Sequence, residues 1–448
     1  MIYLKKIPFY TIVFLFIWFP FQDLIISFIY REFPSDLLKY LLVFKEFLLA
    51  VVLLMLFVKF VFDIKRGESK ISYVEIFGLI YILICLFYFL YFNNSEISLI
   101  TKMTSFRSAI IPILFVLVGK WINLDKDEIL FLFKIILIIS TISIFIGFIE
   151  INISTDKFWN GILNLKGYLN NIKGFREGLN GGLIKSVPGN FWGSIGYRRM
   201  AGSFASPLAL SYFLIVPVLF LLYKKNNKFW ELIILFLLLA GLIFTETRAA
   251  IFSIIIGFIF YFFINLKHLK LPEIKKKIII FPVILIVLFL IFVIFSKYSA
   301  ASVVENISVF SGRNEGHIEG IKAGISNLKN SFLIGNGFGT AGSWAALQNI
   351  RLIGAGESTY LVLIAEIGGL GFLFFLLWWI FIFFYLIKNY KNSIINNRNM
   401  VYLFELFICL NFIYFATGFI SEQILTFTSV AHFWILNGSL INFYTDIN

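Results

Sequence analysis

Apolar residues arrive along this chain in blocks of about twenty, separated by short polar connectors. In a block such as IIIFPVILIVLFLIFVIF (278–295) no polar face recurs at a helical or strand period. Wound as an α-helix, a block of that length crosses ~30 Å of hydrocarbon. The pattern predicts spans near 8–29, 37–62, 72–92, 103–119, 128–150, 203–223, 229–245, 248–266, 278–296, 357–387, 400–420 and 424–443. The expected fold is therefore all-α, a polytopic membrane bundle of about twelve helices forming one transmembrane domain over residues 1–448. Two long polar segments interrupt it, residues 151–202 and 297–356. The second contains SGRNEGHIEGIKAGISNLKN (311–330), where Ser311 can cap and Ile318, Ile321, Ile325 and Leu328 share a face. This predicts an amphipathic helix lying against the membrane or the bundle.

Composition agrees: 60% of residues are hydrophobic and only 14% charged. The formal net charge of +13 sits mainly in connectors such as DIKRGESK (63–70), KKNNK (224–228), KHLKLPEIKKK (267–277) and KNYKNSIINNR (388–398), not along one basic stripe, so it does not point to nucleic acid. By the positive-inside rule these connectors and both termini are cytoplasmic, which makes 151–202 and 297–356 extracytoplasmic loops. Lys5 and Lys6 before a long apolar run resemble a signal peptide, but the length of the run predicts an uncleaved first helix. Cys85 and Cys409 fall inside spans and offer neither a disulfide framework nor a metal spacing. No cofactor and no metal ligand set is expected.

Long loops on a rigid scaffold carry function more often than not. Arg199 opens RMAGSFASP where the first loop re-enters the membrane, and its planar fork could grip a diphosphate or snorkel to headgroups. Arg248, in FTETRAA, lies between two short spans with no long loop to hold it in bulk water, and charge at such depth is functional by default. An ion pair with Glu246 is the bland alternative. Arg313 and His317 are four apart on the amphipathic helix and can face one anion. Glu357 heads the tenth span and could act as a general base, although acidic residues are also ordinary in a first helical turn. Glu366, and Lys45 with Glu46, are membrane-embedded charges whose bland reading is structural pairing. GNGFG (335–339) follows no strand and reads as a turn. The loop aromatics Trp159, Phe191, Trp192, Tyr197 and Trp344 could stack on sugars or belong to an interfacial belt.

Taken in order, Arg199-Met-Ala-Gly-Ser-Phe-Ala-Ser-Pro, Thr-Glu-Thr-Arg248-Ala-Ala, Gly-Arg313 with Asn-Ser-Phe-Leu-Ile-Gly-Asn-Gly-Phe-Gly, and Glu357-Ser-Thr-Tyr-Leu with Glu-Ile-Gly-Gly-Leu-Gly-Phe resemble the O-antigen polymerase and ligase superfamily. Ligases of that superfamily usually carry His-Asn where this chain has Glu357-Ser358, so the resemblance is to the polymerase branch. It implies a metal-independent, inverting glycosyl transfer between polyprenyl-pyrophosphate-linked oligosaccharides at the extracytoplasmic face of the bacterial cytoplasmic membrane. The product would be O-antigen, capsule or exopolysaccharide. Carried onto this chain, Arg199, Arg248 and Arg313 with His317 bind pyrophosphate, and Glu357 and Arg248 are catalytic. A chain-length regulator and a flippase are the implied protein partners. Three alternatives remain in view: a ligase; a polyprenyl-monophosphate glycosyltransferase using Glu32 or Asp36 of the first outer loop; and a flippase or transporter using Lys45, Glu46, Arg107 and Lys134.

Overall fold

The computed structural model describes residues 2–92, 97–153, 157–174, 183–184, 187–188, 191, 199–224, 227–266, 332–342, 345, 358–396 and 400–443. Within them the predicted spans become α1 (Ile2–Ile29), α2 (Ser35–Lys65), α3 (Tyr73–Tyr91), α4 (Leu99–Ile122) and α5 (Lys126–Ile153). After the first long loop come α7 (Pro207–Tyr223), α8 (Phe229–Phe244), α9 (Arg248–Leu266), α10 (Thr359–Asn396), α11 (Val401–Thr417) and α12 (Phe427–Ile441). The expected span at 278–296 and the expected helix at 311–330 lie outside the described residues. Six of these helices, α1 to α5 and α10, are long and apolar enough to cross a membrane by length and composition.

Of the shorter helices, α7 and α12 sit inside the bundle, whereas α8 and α9 each keep an exposed apolar face. Fifteen or seventeen residues rise only ~22–26 Å, and α7 compensates by being enclosed: almost every residue from Pro207 to Tyr223 is buried. A helix apolar all round belongs in such a position. The rim is α2, where Tyr40, Phe47 and Leu54 are 75%, 61% and 65% exposed. In water such a surface would aggregate. Against lipid tails it costs nothing, which is why the chain can leave it open.

Between apolar helices in lipid, association depends on close approach and on polar contacts. The tightest pair is α4 with α12, where a Cβ on Gly119 would run into the carbonyl oxygen of Ile435 and one on Gly438 into that of Val116. Trp379 Nε1 donates to Asn411 Oδ1 (2.8 Å), and Asn411 Nδ2 to Asn437 Oδ1 (2.8 Å), which ties α10, α11 and α12 together. At the basic end, buried Lys120 of α4 pairs with buried Glu75 of α3. Glu75 also accepts from Ser72 Oγ (2.6 Å) and Trp121 Nε1 (3.1 Å).

The other end carries the polar loops. The loop expected over 151–202 has structure of its own: a π-helical turn (Lys157–Ile162), α6 (Leu165–Asn171) and a two-residue antiparallel ribbon, β1 (Leu183–Ile184) with β2 (Val187–Pro188). It is pinned to the end of α1. Asp23 accepts from Tyr168 Oη (2.7 Å) and Lys173 Nζ (2.8 Å), while Arg31 donates to the carbonyls of Asn160 and Gly161. Burial, and then the Asp23 charge, pushes the Tyr168 phenol well above its ordinary value, so it stays a donor.

Candidate functional site

Arg199 is held by a junction in which nearly every residue of its motif has a task. Its own N–H donates to the carbonyl of Phe191 (2.8 Å), and Met200 N–H donates to that of Phe244 at the end of α8 (3.0 Å). Ala201 and Gly202 both donate backbone N–H to Glu150 Oε2 (2.9 Å each). Gly202 has φ +58, and a Cβ there would sit 2.5 Å from the carbonyl oxygen of Ser143, so only glycine suits both the turn and the approach. Ser203 and Ser143 share a hydroxyl hydrogen bond (2.7 Å). Ser206 caps α7 through Ala209 N–H (3.3 Å), with Pro207 opening the helix. This corrects the span expected from 203, because α7 begins only at Pro207.

The guanidinium of Arg199 reaches the turn between α8 and α9. Nε donates to the carbonyl of Thr245 (2.7 Å) and Nη2 to Thr247 Oγ1 (2.7 Å). Glu246 stands at φ +48, the left-handed conformation that bends this turn. Arg248, two residues after Glu246, is the first of α9 and is half-buried. Two arginines far apart in sequence thus converge on one short turn, next to a helix N-terminus whose free N–H groups favour anions. Arg313, His317 and Glu357 lie outside the described residues.

A second polar feature lies at the same end. Ser358 Oγ donates to the carbonyl of Gly418 (3.2 Å) and Thr359 Oγ1 to that of Ser421 (2.7 Å), so the start of α10 is fastened to the 418–421 turn. Beside it Ser105, Ser108, Ala341, Gly342, Glu366, Glu422 and Thr426 contribute to the lining of a small open cleft. Glu366, 1% exposed, accepts from Ser105 Oγ (2.6 Å) and from Gly339 N–H (2.8 Å). Its described partners are therefore neutral donors, not the partner cation that a structural pair requires.

GNGFG is also more than a turn. Asn336 N–H donates to the carbonyl of Ala365 (2.7 Å) and Gly337 N–H to that of Glu366 (2.9 Å). Both carbonyls are freed where α10 breaks at Gly368 (φ 70, ψ 173). The sequence signal for this was the pair of glycine-rich stretches, 335–339 and 368–371, which only the fold brings together.

Two of the loop aromatics are core residues. Trp159 is fully buried, donates to Glu150 Oε1 (2.9 Å) and meets buried Phe191 edge-on at 6.0 Å. Trp192, Tyr197 and Trp344 lie outside the described residues. Glu150 itself had no sequence signal beyond a charge at the end of a span. Among the described residues no group of three His, Cys, Asp or Glu side chains gathers as metal ligands would.

No curated protein matches the chain. Residues 232–376, from α8 into α10 and including Arg248 and Glu366, match the family model described as O-antigen ligase, about a third of the length. That match, on a multi-pass helical scaffold, supports placing the chain in the O-antigen ligase/polymerase superfamily.

Proposed function

We propose that the protein is a polysaccharide polymerase of the bacterial cytoplasmic membrane, joining polyprenyl-pyrophosphate-linked repeat units with its loop end on the extracytoplasmic side. The observation that carries this reading is the convergence of Arg199 and Arg248 on the α8–α9 turn. In the proposed reaction a sugar hydroxyl of one lipid-linked unit attacks the anomeric carbon of the other. The bond from that carbon to the pyrophosphate oxygen breaks, the configuration inverts, and the polyprenyl pyrophosphate departs with its added charge. Glu357 takes the hydroxyl proton, and Arg199, Arg248, Arg313 and His317 stabilise the leaving group. Guanidinium suits this work because its fork remains charged and meets phosphate oxygens in pairs.

The matching family, O-antigen ligase, favours a second reading, a ligase that moves glycan to a different acceptor. Glu357-Ser358, where the resembling ligases carry His-Asn, supports the polymerase. Purified protein incubated with polyprenyl-pyrophosphate repeat units should yield a ladder of chain lengths. Arg248→Ala and Glu357→Gln should each reduce its formation by at least about a hundredfold, the usual scale for removing a charge-stabilising or acid–base group. Ladders persisting in both variants would refute these residue assignments, and transfer only to a foreign acceptor would establish the ligase.

A further inference from the structure

Three large apolar residues in a row, Phe332, Leu333 and Ile334, stand between Asn330-Ser331 and Gly335-Asn336 in the second long loop. They are 51%, 65% and 62% exposed. Four residues beyond Ile334, Phe338 is 1% exposed and meets Phe106 of α4 edge-on at 5.5 Å. The segment therefore has an inward face, and the triplet is not on it. Single exposed apolar residues are ordinary, but a run of three on a loop surrounded by water is a patch that needs a partner.

The backbone around the triplet is paired with protein. The carbonyl of Phe332 accepts from Gly369 N–H (2.6 Å), Asn336 and Gly337 donate to the carbonyls of Ala365 and Glu366, and Gly339 N–H donates to the Glu366 carboxylate. Irregular chain is tolerated beside hydrocarbon only where protein satisfies its polar groups in this way. The height of the segment follows from α3 and α10, which run antiparallel: Tyr73 stacks on Phe381 (5.0 Å) and Tyr81 meets Phe375 (5.5 Å). Gly368, where the triplet docks, precedes Phe375 and lies ~10 Å nearer the loop end at 1.5 Å per residue. That brings the triplet level with the last turn of α3, which ends at Tyr91, and a Cβ on Gly337 would lie 3.0 Å from that of Phe92. Exposed apolar side chains of both helices stand at this level, Phe87 and Leu90 on α3 and Leu370 on α10.

We infer that Phe332, Leu333 and Ile334 are a membrane anchor, inserted among the acyl chains at the loop-end edge of the bilayer, where they extend the lipid-facing surface of α3 and α10. The inference needs only a multi-pass chain, so it stands whichever glycosyl transfer the protein performs. It alters the expectation for 297–356: instead of lying wholly in the aqueous phase, the second loop returns to the membrane before α10 begins. The segment is then held from both sides, by lipid at 332–334 and by Glu366 at 337–339. Ala341 and Gly342, directly beyond, line the cleft with Ser105, Glu366 and Glu422. The anchor thereby sets that cleft at the membrane surface, the height at which a lipid-borne substrate presents its head group.

The test is the collision rate of a nitroxide label, read by electron paramagnetic resonance on the full chain in nanodiscs. The label is attached through Leu333→Cys and, separately, through Ile334→Cys; both side chains are exposed, so neither change disturbs packing. Cys85 and Cys409 are buried, and protein without the new cysteine supplies the background signal. Leu54→Cys on the exposed face of α2 and Glu68→Cys in the basic connector serve as lipid and water references. Labels at 333 and 334 should meet oxygen as often as the label at 54 does. They should meet a water-soluble nickel complex about threefold less often, or rarer still, than the label at 68, because hydrocarbon excludes polar solutes. Nickel collisions equal to those at 68 would put the triplet in water and overturn the anchor. Rare collisions with both reagents would overturn it as well, by showing that protein covers the patch, whether a second copy or another part of this chain.

Discussion

A carboxylate with both oxygens engaged holds the first arginine of the site in place. Glu150 receives the indole N–H of Trp159 on one oxygen and the N–H groups of Ala201 and Gly202 on the other, all out of contact with solvent. A carboxylate can accept all three, but an amide presents a donor to at least one of them. Glu150→Gln should therefore destabilise the protein by about 1–3 kcal/mol, the cost of a buried donor left without an acceptor. The loss should register as a lower thermal midpoint in detergent. It should also depress ladder formation, since Arg199 is two residues from the anchored amides. An unchanged midpoint would mean that the junction does not depend on this charge. The same logic explains why Arg199 could be picked out in the sequence while its role could not. Its residue type was visible, but the acceptors at Thr245 and Thr247 lie 46 and 48 positions away.

The elements of the loop end are broken where they serve the site. Helix α10 is interrupted at Gly368, whose φ of 70 with ψ of 173 belongs to a region that only glycine occupies without strain. The 332–342 segment docks into the interruption, with Gly369 N–H donating to the carbonyl of Phe332 (2.6 Å) and a Cβ on Gly335 falling 2.5 Å from Gly368 N. A Cβ on Gly368 would strike the carbonyl of Leu333. Gly368→Ala is expected to cost about 1–3 kcal/mol in backbone strain alone and to unseat that segment. Hydrogen exchange should quicken at the amides of Asn336, Gly337 and Gly339 while those of α4 and α12 keep their protection. Equal loss everywhere would point to global unfolding, and no change would show that α10 tolerates a side chain there. Helical periodicity cannot announce such a break, because the apolar pattern of α10 continues through it.

Across the whole molecule, two kinds of charge are told apart by their surroundings. At the basic end Lys120 and Glu75 are 4% and 1% exposed and face each other with further hydrogen bonds around them, a satisfied structural pair. Lys39 and Asp36, at 54% and 79%, form a surface pair that is worth little. Lys120→Met should strand the Glu75 carboxylate and cost about 3–5 kcal/mol, whereas Lys39→Met should shift the thermal midpoint barely at all. Comparable midpoints for the two variants would remove the distinction.

By itself the sequence determined the solvent and the class of the fold: apolar blocks of span length and charges confined to connectors leave only a helical membrane bundle, because in hydrocarbon a helix satisfies its own backbone. It also marked Arg199 and Arg248 as residues of interest, since charge beside a span needs a reason. What only the tertiary structure decided was proximity and enclosure. The seating of Arg199 beside Arg248, the burial of Trp159 and Phe191, the neutral partners of Glu366 and the pairing of Arg107 with Glu46 all depend on contacts between segments distant in sequence. Such contacts are set by side-chain fit across the bundle, which leaves no periodic trace along the chain.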